Sequence, residues 1–180
     1  DPNHGSLDAP RFDFAVLATG SLVASASDAM EQLWWRMQAV RDARRRHLPE
    51  ALIALRAASA ARHAETAGDT LRPPMRAALV LRDNVRNRSR IERAYRRAIG
   101  TARHEVIIAN AYFMPGGKLR RALVMAAQRG VRVRLLLQGR YEYFMQYHAA
   151  RPVYGALLAA GVEIHEYAPS FLHAKVAVID

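Results

Sequence analysis

Two side chains that suit phosphoryl chemistry lie close together near the end of this sequence. His173 and Lys175 are two residues apart, and Asp180 follows five residues later. On a β-strand, residues i and i+2 point to the same face. The imidazole can attack phosphorus or pass a proton, and the ammonium can hold phosphate oxygens as charge develops on them. We therefore predict catalytic roles for all three residues; the alternative is a strand end with a surface lysine and an ordinary aspartate.

The lysine of this motif is unusual for the chain. The sequence contains 25 arginines and only two lysines, Lys118 and Lys175. A lysine ammonium is a compact point charge, whereas arginine is a planar fork, so the two do not replace each other at a tight phosphate site. The choice of lysine at position 175 favours the catalytic interpretation.

Composition sets the class of protein. The 180 residues are 51% hydrophobic, so they can bury a core, and they carry a net charge of +11 with a pI near 10.9. Such a charge favours polyanionic partners, either nucleic acid or an anionic membrane surface. The absence of cysteine excludes disulfides and thiolate metal sites. No apolar run is long enough to cross a bilayer as a helix.

The first part of the chain has a mixed pattern. Residues 12–17 are predicted to form a short strand, and residues 22–37 a helix. The large apolar side chains of this helix recur at helical spacing, and we expect them in the core: Met30, Leu33, Trp34 and Met37. Residues 49–76 are alanine-rich and contain a glycine and a double proline, which predicts a linker or domain boundary.

From residue 77 onwards, strands and helices alternate. This order predicts an α/β domain with a mostly parallel sheet. The predicted strands are 77–81, 105–111, 131–137, 162–167 and 172–179, and the predicted helices are 89–103, 119–129 and 152–160.

Ligands of such sheets bind beyond the carboxyl ends of the strands. Four polar residues fall in the segments that follow predicted strands, and we predict that they line the substrate: Asn110, Tyr112, Gln138 and Ser170.

A basic cluster precedes and includes the helix at 89–103. Between Arg72 and Arg103 there are ten arginines against Asp83 and Glu92, which gives +8. The default interpretation is a solvated helix face, but the density of charge favours contact with a polyanion. Anionic lipid and nucleic acid would both be attracted, so charge does not choose between them.

Several segments together resemble the phospholipase D superfamily and, within it, the type B branch of the bacterial cardiolipin synthases. The segments that carry the resemblance are LRDN at 81–84, IIANAYFMP at 107–115, RVRLLLQG at 132–139 and SFLHAK at 170–175. The resemblance is good over residues 77–180 and looser before them.

The resemblance implies αβα layers and an active site shared by two lobes, each with a His-x-Lys motif. One histidine would form a phosphohistidine and the other would act as acid and base, without metal or other cofactor. His173 would take the acid/base role. Asp13 would be the carboxylate that orients the histidine of the first lobe, which is absent from this chain. The chain would be a fragment, incomplete at both ends: residues 1–48 end the first lobe, 49–76 link, and 77–180 begin the second.

The implied parent enzyme is a phosphatidyltransferase that makes cardiolipin, and the fragment alone is expected to be inactive. Expected partners are phosphatidylglycerol and related anionic phospholipids, the membrane surface and the missing lobe, whereas nucleic acid is not expected. The expected location is peripheral, at the cytoplasmic face of the bacterial inner membrane. The alternatives are another phosphodiesterase of the superfamily, acting on lipid or nucleic acid, and a non-catalytic basic module that binds anions or membranes.

Overall fold

The structure is a computed structural model of the chain, and it describes residues 10–45, 47–60, 76–83, 87–140 and 153–180. These residues form two compact units. One unit contains residues 10–15 together with those from Leu81 onwards, and the other contains those from Val16 to Val80. Some predictions lie outside the described residues. They concern residues 1–9, residues 61–75 of the predicted linker, and Arg72 and Arg86 of the basic cluster.

The unit from Val16 to Val80 is a pair of helices. Helix α1 (Ser21–Arg44) packs against α2 (Leu48–Ala60). The buried residues are alanines, Ala39 in α1 with Ala51 and Ala54 in α2, and such small side chains let the two helices approach closely.

The large apolar residues of α1 are therefore not in the core. Met30, Leu33, Trp34 and Met37 are all exposed, so the prediction that they form core was wrong. Helical spacing identifies an apolar face, but it does not show which face meets the neighbouring helix. In addition, α2 occupies the first part of the segment 49–76, which was predicted to be a linker or domain boundary.

The other unit contains a four-stranded sheet. Its elements are α3 (Arg90–Thr101), β1 (Glu105–Asn110), α4 (Gly117–Gln128), β2 (Arg132–Gln138), β3 (Glu163–Tyr167) and β4 (Lys175–Ile179), with a further helical segment at 153–159. The strand order is β3-β2-β1-β4. β1, β2 and β3 run parallel, whereas β4 is antiparallel to β1. The predicted α/β class with a mostly parallel sheet is confirmed.

The core of this unit lies between one face of the sheet and its helices. Residues that alternate along β1 and β2 are fully or almost fully buried, as expected where helices cover a sheet face. They pack against Ile99 of α3, Leu123 of α4 and Leu157 of the helical segment at 153–159. Within this unit the described helices all contribute to that one layer. The layer fixes the sheet, whose carboxyl edge carries the site.

Two predicted strands differ in the structure. Residues 77–81 form no strand, and of residues 12–17 only Phe12 pairs, in a single parallel bridge with Leu172. A strand forms only where a partner strand takes its hydrogen bonds, and local sequence does not supply that partner. Residues 10–15 group with the sheet and not with the helices that follow them. The division into lobes at 1–48, 49–76 and 77–180 stays a prediction.

Candidate active site

His173 and Lys175 lie side by side at the carboxyl edge of the sheet. Lys175 is the first residue of β4, and His173 precedes it in extended backbone. Lys175 Nζ lies 3.5 Å from His173 Nε2, so the two side chains point to the same side, as their spacing predicts. The His173 side chain is 42% exposed, and Lys175 is exposed. Both groups are therefore accessible to a ligand.

A short segment near the start of the chain supplies the partner of the imidazole. Phe12 N–H donates to Phe171 O at 2.9 Å, and His173 N–H donates to Phe12 O at 2.9 Å. These two backbone bonds place Asp13 beside His173, and Asp13 Oδ2 lies 3.0 Å from His173 Nδ1. Asp13 was predicted to orient a histidine outside this chain. That partner was wrong, because the carboxylate meets His173.

The electrostatics of this contact favour an ionised Asp13. The hydrogen bond from His173 is the main cause that lowers the pKa of Asp13, and a second bond from Phe14 N–H at 2.8 Å lowers it further. An ionised carboxylate accepts a hydrogen bond from the Nδ1–H of the imidazole, which leaves Nε2 as the ring nitrogen open for chemistry. Nε2 is also the atom beside Lys175 Nζ, so the imidazole and the ammonium can act on the same group.

Asp180 lies at the opposite edge of the sheet. Its carboxylate accepts hydrogen bonds from the backbone N–H groups of Arg103 at 2.6 Å, His104 at 3.0 Å and Glu105 at 2.8 Å. These bonds lower its pKa to about 2. Five residues of extended chain separate it from Lys175 by roughly 17 Å. The structure does not bring Asp180 to the imidazole, and its place is a structural one, at the start of β1.

Asn110 lies on the site side of the sheet and bonds to the backbone of Tyr112. Asn110 ends β1 and is directly opposite Lys175 in the β1–β4 pairing, so their side chains share a face. Asn110 Oδ1 accepts a hydrogen bond from Tyr112 N–H at 3.1 Å, which turns the chain after β1. Of the two predicted substrate-lining residues, Asn110 therefore lies next to Lys175, and Tyr112 follows in the turn.

Gln138 contributes in a way that the sequence did not reveal. Its Oε1 accepts the Leu172 N–H at 2.9 Å, which holds the backbone one residue before His173. Its Nε2 is buried and has no hydrogen-bond partner among the described residues. Gly139 follows, and a side chain there would meet Tyr167 O at 2.9 Å. A glycine directly after a buried strand was the available signal for this close approach.

Ser170 does not line the site. It is 2% exposed, and its Oγ lies 3.4 Å from the hydroxyl of Tyr167. The prediction that it contacts substrate was therefore wrong. The reason is that the loop after β3 turns Ser170 inwards, towards the Tyr167 hydroxyl.

Two absences concern the described residues only. They contain no group of three or more His, Asp or Glu side chains suited to hold a metal ion. None of their helices combines the length and apolar character that crossing a bilayer requires.

Part of the chain is similar to known proteins. Residues 95–180 match the family model described as cardiolipin synthase, PLD-like domain. The chain is 47% identical over 102 residues to cardiolipin synthase B of Escherichia coli, which covers 57% of this chain and 25% of that protein. It is 39% identical over 90 residues to cardiolipin synthase 2 of Bacillus anthracis, which covers 50% and 18%.

The matched part of the chain, which carries the sheet and the His-x-Lys pair, is therefore similar to PLD-like domains. The likeness is to the PLD-like domain of bacterial cardiolipin synthases, and the chain spans about a quarter of the length of the type B relatives. Among solved structures, a phospholipase D family member, Nuc from Salmonella typhimurium, is 22% identical with a TM-score of 0.42, over 49% of this chain and 57% of that chain. That likeness adds nothing to the assignment.

Proposed function

We propose that this chain is part of a phosphatidyltransferase that makes cardiolipin from glycerophospholipids, with phosphatidylglycerol as the first substrate to test. The single observation that carries the proposal is the pair of contacts made by the His173 imidazole. Its Nδ1 is held by Asp13 at 3.0 Å, and its Nε2 faces Lys175 at 3.5 Å. The names of the relatives, cardiolipin synthases B and 2, support the choice of product.

The proposed reaction has two displacements at one phosphorus atom. In the first, a histidine nitrogen forms a bond to phosphorus as the bond to the head-group oxygen breaks, and that oxygen takes a proton from a second histidine. In the second, the hydroxyl of an acceptor lipid gives its proton to that second histidine, its oxygen bonds to phosphorus, and the phosphorus–nitrogen bond breaks. We assign His173 the acid/base role, with the nucleophile on the lobe outside this chain.

Lys175 supports both steps from its place beside Nε2. Negative charge grows on the phosphoryl oxygens as each displacement proceeds, and a fixed ammonium stabilises it most at that point. In this proposal Asn110, which is opposite Lys175 on the neighbouring strand, would donate its side-chain amide to the same oxygens. Because half of the proposed site lies outside the chain, the 180 residues alone should not turn over substrate.

The proposed setting is the cytoplasmic face of the bacterial inner membrane, where the protein would associate peripherally. The partners in this proposal are anionic phospholipids and the remaining lobe of the same protein. The basic composition of the chain, with a net charge of +11, suits such a surface.

The test uses the full-length protein and vesicles that contain phosphatidylglycerol, with cardiolipin and free glycerol measured by mass spectrometry. His173→Ala should lower kcat by about 10²–10⁴, which is the usual contribution of general acid–base catalysis. His165→Ala is the matched control, since His165 is an exposed histidine on β3 that pairs with Glu163 at 3.6 Å, and it should stay close to wild type.

Three results would contradict the proposal. Cardiolipin formation that survives His173→Ala would remove the role of this imidazole. Phosphatidic acid as the main product would indicate lipid hydrolysis, and cleavage of DNA without lipid turnover would indicate a nuclease.

A further inference from the structure

The outer face of α3 carries a stripe of arginines. Arg90, Arg93 and Arg97 are spaced by three and four residues, so they lie on one side of the helix. All three are exposed, and they lie opposite the side on which Tyr95 and Ile99 pack into the core. We call these three residues the basic stripe.

The acidic residue of α3 does not neutralise the stripe. Glu92 carboxylate lies 3.8 Å from Arg96, which is outside the stripe. The stripe therefore presents three positive charges along about 10 Å of helix.

The start of the neighbouring helix α4 carries further cations, at positions where positive charge does not stabilise a helix. Lys118, Arg120 and Arg121 are exposed near its start, and its first turn has no acidic residue. The start of a helix already carries a partial positive charge, so cations there are unfavourable for helix stability. Helix stability therefore does not account for the positive charge near the start of α4.

Both helices direct their starts to the edge of the sheet that holds the site. Arg129, which ends α4, donates from Nη2 to Ile99 O at 3.0 Å and to Ala102 O at 3.5 Å, at the end of α3. The two carboxyl ends thus lie together beside the start of β1. The amino ends lie towards the other edge, where β1 ends at Asn110 and Lys175 begins β4.

Apolar side chains are exposed at the same edge. Ile91 in the first turn of α3 is 40% exposed, Met114 after β1 is 56% exposed, and Phe14 is 49% exposed. Apolar residues beside cations are typical of surfaces that rest on a lipid interface. Helix α3 itself offers no exposed aromatic ring of the kind that stacks on the bases of single-stranded nucleic acid, because its aromatic residue, Tyr95, packs on the core.

We propose that the basic stripe and the first turn of α4 form a docking surface for an anionic bilayer. Docking there would turn the edge with His173 and Lys175 towards lipid head groups, while the exposed apolar side chains enter the interface. The choice of lipid as partner rests on the proposed function, whereas the location of the surface rests on the geometry of α3 and α4.

The test compares two triple variants of the full-length protein in vesicle sedimentation. The first is Arg90→Gln with Arg93→Gln and Arg97→Gln. The control is Arg36→Gln with Arg41→Gln and Arg44→Gln on α1, which removes the same charge from exposed positions elsewhere. Vesicles are phosphatidylcholine with and without phosphatidylglycerol.

Each basic residue near an anionic surface contributes about fivefold in affinity. The stripe variant should therefore lose about 100-fold in binding to the phosphatidylglycerol vesicles, and the control should bind like wild type. Wild-type binding should weaken as salt is raised and should be absent for pure phosphatidylcholine.

Two outcomes would overturn the docking surface. If both triple variants lose the same affinity, net charge rather than this surface binds the vesicles. If the stripe variant keeps vesicle binding but loses binding to a DNA oligonucleotide, the partner is nucleic acid. Sedimentation needs no turnover, so the result stands apart from whether the protein makes cardiolipin.

Discussion

Asp13→Asn should lower kcat, because Asp13 orients the His173 imidazole, and should leave the thermal midpoint Tm unchanged. Asp13 is outside the predicted His-x-Lys motif, and its side chain meets the motif through the 3.0 Å contact between Oδ2 and His173 Nδ1, next to the backbone bonds of Phe12. An asparagine has nearly the same shape and keeps those backbone bonds. Its amide can donate to Nδ1, however, and would then stabilise the tautomer that carries its proton on Nε2. That tautomer cannot accept a proton from the acceptor hydroxyl.

The size of the effect follows from exposure. In a buried Ser-His-Asp triad the same substitution lowers kcat by about 10⁴, because the imidazole takes the wrong tautomer. Here the side chains of Asp13 and His173 are 53% and 42% exposed, so water competes for Nδ1 and lets the productive tautomer persist. We therefore expect a loss in kcat of about 10²–10³ with little change in KM.

The assay is steady-state cardiolipin formation by the full-length protein, with the thermal midpoint Tm measured on the same samples. Glu50→Gln, at an exposed carboxylate on α2, is the control for loss of one negative charge. The reasoning fails if Asp13→Asn keeps the wild-type kcat. It also fails if kcat and Tm fall together, because the carboxylate would then stabilise the fold rather than the tautomer.

The remaining two predictions concern the other members of the motif. Lys175→Gln should lower kcat by about 10²–10³ in the same assay, since a neutral amide does not stabilise charge on the phosphoryl oxygens; wild-type turnover would refute it. Asp180→Asn should lower Tm by several degrees at neutral pH, because it weakens the bonds to three backbone N–H groups. The folded-state pKa of Asp180 is lowered from 3.8 to about 2. Its stabilisation is therefore complete above pH 4 and fades as pH falls towards 2, and the Tm difference should shrink in that window. A difference independent of pH would contradict this.

Much of the sheet unit is predictable from local pattern. β1 and β2 are apolar runs bounded by polar residues, and Gly130 ends the turn after α4 with a φ of 88° that favours glycine. The spacing of His173 and Lys175 gives their common direction once they are extended. These features depend on residues close together in the sequence.

The features that the sequence did not predict depend on contacts between distant segments. Asp13 meets a histidine 160 residues away, and no local pattern records that pairing. Ser170 is polar and follows a strand, but the bond to Tyr167 turns it inwards. Met30 and Trp34 lie at helical spacing, yet alanines form the contact between α1 and α2.

The spacing of the His-x-Lys-x4-Asp motif can be understood as the length of one strand. β4 runs antiparallel to β1, so its first residue, Lys175, lies at the carboxyl edge of the sheet beside the end of β1. Asp180 lies where β1 begins. There the carboxylate joins β4 to the turn between α3 and β1. A slip of one residue in this pairing would turn every side chain of β4 to the other face, and Lys175 would leave Asn110. Asp180 should therefore affect catalysis only by fixing the register of β4 against β1. In Asp180→Asn kcat and Tm should fall together, whereas in Asp13→Asn kcat should fall without a change in Tm.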